Sequence, residues 1–234
     1  MLPSIFDKLT TLPLFIGMSR EEISQAVGLA KFGFRKFDKH QTIVHEGQAC
    51  SQLLILIPSS PSGESEGDLI TASISADDHG YTISEELPAP FILEPDHLFG
   101  LTQRHLHTFT AKQPCHFVTL EKDEVLKLMQ ASIIFRLNLL NTISTHSQKT
   151  HAQLFHTPPR TLEGHITQFV ADRCLRMAGP KHVSIKMTRL AEELNDYRFN
   201  ISKALNTLQD QHLIELHRGG FVIPSFETLL QAVR

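Results

Sequence analysis

Residues 186–214 read KMTRLAEELNDYRFNISKALNTLQDQHLI, two short amphipathic segments on either side of a turn. Leu190, Ala191 and Leu194 fall at i, i+1, i+4, and Ile201, Ala204, Leu205 and Leu208 at i, i+3, i+4, i+7, so two helices can close their apolar faces on each other. Ala191 is small where the helices approach. Asn195 tolerates a left-handed backbone at the turn, and Asp196 helps to start the second helix. Arg198, Asn200, Ser202, Lys203, Asn206 and Thr207 stay on the outer face, side chains that reach base edges and phosphates in a major groove. Taken alone, the stretch fits a DNA-reading helix-turn-helix and an ordinary helical hairpin with a solvated face equally well.

Its surroundings favour the first reading. Beyond Ile214, the apolar runs IEL and FVI are joined by HRGG, a hairpin with Arg218 at its tip as a phosphate-contact candidate and Gly219 and Gly220 serving the turn. A helix-turn-helix followed by such a hairpin is a winged helix. Upstream, HVSIK reads as a short strand, Gly164 to Met177 as a helix with Thr161 before it, and HTPPR at 156–160 as a hinge. From Asp123 to about Gln148 one long helix is expected, with apolar positions Val125, Leu128, Met129, Ile133, Leu137, Leu140 and Ile143. Within it Ile133, Leu137, Leu140, Ser144 and Ser147 step by 4 and 3, the spacing of a dimerisation seam; the same face packed on its own domain is the other reading. A two-fold dimer would set two recognition helices on successive major grooves.

Towards the N-terminus the period changes. FGFRKF, TIV, LLILI, ITASIS, YTISEEL, HTFTA and CHFVTL are short β-branched or aromatic runs between turn clusters, the signature of a sandwich or barrel-like β-roll. Residues 58–68, PSSPSGESEGD, bury nothing and read as a mobile insert. The first thirty residues read as short helices, with Ser19 and Glu22 at capping-box spacing.

At 234 residues, 41% hydrophobic and 20% charged, the chain supports two modest domains. Three distant cysteines suggest neither disulfides nor a CxxC knuckle. With no long apolar run and no cleavable leader pattern, a cytoplasmic protein without membrane association is expected. The net charge of −3 divides as +2 for residues 160–234 and −5 for 1–159, the sign expected if the C-terminal part meets DNA.

The order β-roll, long helix, C-terminal winged helix-turn-helix resembles the bacterial family of the cAMP receptor protein and the fumarate-nitrate reduction regulator (Crp/Fnr). LPLFIGMSREEI, IVHEGQACSQLLIL and IKMTRLAEELNDYRFNISKALNTLQDQHLIELHRGGFVI carry the resemblance, which is poor between residues 58 and 110. It implies an α+β chain: a cyclic-nucleotide-binding-like β-roll (double-stranded β-helix) over 1–122, a dimerisation helix and hinge over 123–155, and a winged helix-turn-helix over 156–234. It further implies a homodimeric transcriptional regulator rather than an enzyme, with double-stranded DNA and RNA polymerase as partners. By resemblance Arg198 reads a guanine, its fork matching O6 and N7, and Lys203 is the second basic reader. Phe199 replaces the family glutamate; it cannot accept from a cytosine amino group but can touch a thymine methyl. Ser202 is assigned to phosphate, Asn200 to adenine or backbone, and Lys186, Thr188 and Arg189 to phosphates, with Arg189 alternatively a plain solvated charge.

The sensor departs from the family. Nucleotide-binding relatives use a Gly-Glu pair and an Arg-Ser/Thr pair, and the stretch taken to match is LFGLTQRHLHTFTA. There Gly100 is kept, Leu101 stands for the glutamate and Arg104 is followed by His105, so cAMP binding by the usual cassette is not expected. Gly100, Thr102, Arg104, His107 and Thr108 remain effector-site candidates for an unknown small molecule. No cysteine precedes Cys50, so no iron-sulfur cluster of the family type is expected. The alternative function is a metal- or haem-binding, cupin-like sensor built on His105 and His107. It lacks a carboxylate soon after the HxH, and no metal site is assigned.

Overall fold

The computed structural model describes residues 5–59, 68–155 and 157–233, without the side chains of 5–7 and 152–154. The expected mobile insert and the first residue of the expected hinge therefore fall largely outside the described residues.

The chain divides into two units, Met1–Ile70 with Leu87–His151, and Thr71–Glu86 with Ala152–Arg234. The first opens with α1 (Ile5–Thr10) and α2 (Arg20–Leu29), the latter started by the expected capping box of Ser19 and Glu22. Strands β1 (Gly33–Phe37), β2 (Thr42–Val44), β3 (Gln52–Ile57), β4 (Leu69–Ser75), β5 (Tyr81–Pro88), β6 (Phe91–Leu93), β7 (Thr108–Ala111) and β8 (Cys115–Glu121) follow. In this unit β1-β8-β3-β6 form one antiparallel sheet and β2 pairs with β7. β3, LLILI within its run, is buried along nearly its whole length, as a continuous apolar strand must be.

The long helix expected from Asp123 is two helices, α3 (Lys122–Ala131) and α4 (Ile133–Leu154). Ser132 is extended at φ −124°, its N–H still donates to Leu128, and its hydroxyl accepts from the Phe135 N–H, so it closes one helix and caps the next. The break turns α4 so that Phe135 and Leu139 enter the core, the Phe135 ring tilted against that of Phe15 at 5.4 Å between centroids. Asn138 donates to the carbonyls of Leu14 and Ile16, fixing the same face. Ile133, Leu137 and Leu140 are left outside, about half exposed, with Ser144 and Ser147 continuing the exposed line.

The second unit holds α5 (Leu162–Ala171), β9 (Lys181–Ile185), α6 (Met187–Glu193), α7 (Arg198–Asp210), β10 (Glu215–His217), β11 (Gly220–Ile223) and α8 (Phe226–Ala232). Its core gathers Ile166, Phe169, Val170, Leu190, Ile201, Leu205, Leu208, Phe221 and Phe226. The strand order is β10-β11-β9-β5-β4. The hairpin of β4 and β5 that the sequence reading gave to the β-roll therefore belongs, over Thr71–Glu86, to the unit that carries the helix-turn-helix. β5 pairs with β9 over five residues, Tyr81↔Ile185 to Glu85↔Lys181, and Ile83 enters the second core.

Charged side chains lock this hairpin in place. Lys181 is fully buried, its Nζ 2.7 Å from Glu85 Oε2 and donating also to the Ala178 carbonyl. Glu85 in turn accepts from the Leu175 and Arg176 N–H groups. Arg173 lies 3.9 Å over the Phe169 ring and donates to the Tyr81 hydroxyl. Gly220 is required less by the turn, as the sequence suggested, than by packing: a Cβ there would overlap the Val183 carbonyl of β9.

Candidate nucleic-acid interface

The helix-turn-helix forms as its spacing predicts. α6 ends at Glu193 with Leu194 as its C-terminal cap, Asn195 takes the left-handed conformation at φ 50°, and the Asp196 N–H donates back to the Ala191 carbonyl. Asp196 Oδ1 then accepts from the Tyr197 N–H and from Asn200 Nδ2, so Asp196 steadies the start of α7 although Tyr197 is the cap residue. Ile201, Ala204, Leu205 and Leu208 are buried against Leu190 and Ala191, and this sets which face looks outward.

On that outward face Arg198, Phe199, Asn200, Lys203 and Asn206 are exposed, with Ser202 and Thr207 half-buried beside them. Phe199, Ser202, Lys203, Asn206, Thr207 and Asp210 line a shallow depression of about 340 Å³. Asn200 is partly committed, since its amide donates to Asp196 at 2.7 Å. Lys186 caps α6 and is exposed, as is Thr188. Arg189 is placed differently from a free phosphate contact: its guanidinium lies 2.9 Å from Asp78 of the hairpin and 2.7 Å from Glu193. Arg218 is exposed in a two-residue turn between β10 and β11, with Gly219 at φ 91°. Tyr197, which the sequence reading passed over, is as prominent as Phe199, the two being 81% and 77% exposed. The signal was there, an aromatic residue at a cap position that serine, threonine or aspartate ordinarily fills.

The five effector candidates are not brought together. Gly100, Thr102 and Arg104 face solvent, Arg104 donating to the Gly47 carbonyl, while the Thr108 hydroxyl accepts from the Glu46 N–H. His107 is buried elsewhere. Leu101, read as the replacement for the family glutamate, is fully exposed. The buried acid of this region is Glu94, seven residues earlier, directly after β6 and left-handed at φ 38°. His105 Nδ1 donates to its Oε2 at 2.8 Å and His107 Nδ1 to its Oε1 at 2.6 Å, with the Leu106 and His107 N–H groups bonded to the same carboxylate. Sequence reasoning missed it because a carboxylate was sought after the HxH, whereas Glu94 lies 11 residues before His105. A glutamate between an apolar strand and a proline, with HxH following, was the available signal.

Burial alone would raise the Glu94 carboxyl, but the hydrogen bonds from His105 and His107 outweigh it and hold the group down to about 2. Burial also disfavours the charged His105 ring, yet the contacts with Cys50 and Glu94 raise it to about 9. His146 of α4 donates to Asp96 Oδ2 at 3.2 Å, and this bond raises it too against desolvation. The helix with the exposed apolar line is thus tied to the segment after β6.

These shifts set a pH dependence for the first unit. A raised histidine stabilises fully below its ordinary value of 6.5, and that stability is lost as pH climbs through about 9 for His105. The lowered Glu94 stabilises above its ordinary 4.5, and its share is lost as pH falls through about 2. Thermal midpoints followed by circular dichroism are expected to fall above pH 7 in the wild type and to vary less in Glu94→Gln. Parallel curves for the two proteins would contradict the assignment.

No protein-family model matches the chain, and no curated protein does. No helix among the described residues is long and apolar enough to cross a membrane. Similar solved structures include the catabolite activator protein of Thermus thermophilus, at 14% identity over 94% of this chain and 97% of that one, with a TM-score of 0.45. The c-di-GMP-responsive global regulator CLP of Xanthomonas campestris is similar at 11% identity over 88% and 99%, TM-score 0.45. FixK2 of Bradyrhizobium japonicum is similar at 12% identity over 87% and 97%, TM-score 0.46. These are likenesses at low identity, and the fold itself is read from the elements and pairings above: a β-roll with two following helices, and a winged helix-turn-helix completed by a hairpin from the N-terminal half of the chain.

Proposed function

We propose that the protein is a homodimeric, DNA-binding transcriptional regulator of the Crp/Fnr type that reads a pseudo-palindromic site with α7. The observation that carries this reading is the outer face of α7. After a left-handed Asn195 turn it presents Arg198, Lys203 and their neighbours to solvent, while the opposite face is wholly buried. Arg198 reads base edges; Lys186, Thr188 and Arg218 hold phosphates from α6 and the wing. Arg189 serves the hairpin instead, through Asp78 and Glu193. The exposed line Ile133, Leu137, Leu140, Ser144, Ser147 is the surface for a second copy.

Nothing in this role calls for catalysis. A cytoplasmic location and contact with RNA polymerase follow from it as expectations. For the sensor, Leu101 in place of the family glutamate and His105 directly after Arg104 support a reading without cAMP at the usual cassette. The effector stays open to any small molecule.

The test is selection of bound sites from random DNA with the full chain, with and without small molecules from a cell extract. A two-fold repeated half-site is expected. On that site Arg198→Ala is expected to weaken binding by about 1–3 kcal/mol and to relax one base position. An unchanged sequence preference in the variant would remove Arg198 from the reading.

A further inference from the structure

Two side chains at the start of α7 are not accounted for by the fold. From residue 157 on, Tyr197 and Phe199 are the large apolar side chains that stand exposed among the described residues, 81% and 77% accessible on either side of Arg198. No aromatic or cationic contact holds either ring among those residues. Nor does starting the helix require Tyr197, whose side chain makes no capping bond while Asp196 receives the Tyr197 N–H. Phe199 borders the depression that Ser202, Lys203 and Asn206 also line, so its ring lies beside cationic and amide groups suited to a nucleic acid.

A phenyl ring neither donates nor accepts at a base edge. In the major groove the apolar group open to it is the C5-methyl of thymine, which marks one strand of an A·T pair. The cationic neighbours Arg198 and Lys203 favour DNA as the occupant over an apolar protein surface. Resting on the reading of α7 as the recognition helix, we propose that Tyr197 and Phe199 read thymine methyl groups next to the guanine contacted by Arg198. Each half-site then carries its guanine among thymines, and the base pair beside it is chosen by methyl contact rather than by a hydrogen bond.

The experiment uses the full-length protein and its selected site, with single thymines replaced by deoxyuridine, which removes the methyl and leaves base pairing unchanged. Binding is followed by fluorescence anisotropy at fixed salt. Loss of one or more methyls beside the guanine is expected to weaken the wild type about 3- to 10-fold per position. Phe199→Ala and Tyr197→Ala are each expected to bind more weakly and to lose sensitivity at one of those positions. Both should stay sensitive to 7-deazaguanine at the Arg198 position, where the N7 acceptor is removed. Selected sites without thymine beside the guanine would overturn the proposal, as would deoxyuridine without effect while 7-deazaguanine still weakens binding. A change of oligomeric state in the alanine variants without a change in methyl sensitivity would also overturn it, making the aromatic pair a protein contact. If no site is enriched at all, the regulator reading fails and this proposal falls with it, an outcome distinct from the others.

Discussion

Replacing Lys181 by methionine is expected to destabilise the second unit by about 3–5 kcal/mol, the cost of leaving a buried carboxylate without its partner. Glu85 and Lys181 are buried at 3% and 0% side-chain exposure, 2.7 Å apart. The pair also joins two strands 96 residues apart in the chain, so its loss loosens the β5–β9 edge and not only a side chain. Adding Glu85→Gln to Lys181→Met should recover part of the loss. The amide removes the orphaned charge and keeps one of the two oxygens that separately accept from the Leu175 and Arg176 N–H groups, so the recovery is partial. Hydrogen exchange read by mass spectrometry gives a local measure. Peptides covering 71–86 and 181–185 should lose protection in Lys181→Met, while those of β3 and β8 keep it. Uniform loss over both units, or wild-type stability, would show that the hairpin is not held by this pair.

What the sequence made legible follows from how local each feature is. The helix-turn-helix was readable because its determinants lie within thirty residues: two apolar stripes, a residue tolerant of a left-handed turn, and a polar outer face. Ser19 with Glu22, and the wing after Ile214, were readable for the same reason. The hairpin's place was not. YTISEEL alternates as any strand with one buried face does, and nothing local says whether that face meets the β-roll or β9. A lysine on the buried side of KHVSI hinted at a distant acid, but only the fold identifies it as Glu85. Ser132 in an otherwise helical run was an ambiguous signal, since serine serves as a cap or sits within a helix with little difference in sequence. Glu94 was hidden for the same reason as Glu85: it lies eleven residues before His105, and only the fold brings its carboxylate to His105 and His107.

Introducing glutamate at both Leu137 and Leu140 is expected to convert the protein to a monomer and to weaken binding to the full two-fold site by about 10²- to 10⁴-fold. The fold itself should survive, because these side chains are about half exposed, whereas the core-facing side of α4 is held by Phe135, Leu139 and the two bonds from Asn138. A symmetric seam places each substituted residue near its own copy, so four carboxylates would gather where apolar surface is to be buried, and the repulsion acts on association alone. The DNA consequence is one of linkage. Two recognition helices on one dimer engage two half-sites as a single event, and a monomer loses that effective concentration while keeping every contact within a half-site. Binding to an isolated half-site should therefore be nearly unchanged, which separates loss of dimerisation from damage to α7. Sedimentation velocity and anisotropy on full and half sites read both effects together. A protein that stays dimeric with both glutamates would place the two-fold interface on another surface. A monomer that still bound the full site with undiminished affinity would separate DNA reading from dimerisation altogether. His146 adds a graded version of the same test. It lies one residue before Ser147 and is tied to Asp96, so His146→Ala should leave the seam's apolar part intact while freeing the lower half of α4 from the segment after β6. If that tie relates the sensor to the dimer, the variant should remain dimeric and change its affinity for the full site more than for the half-site.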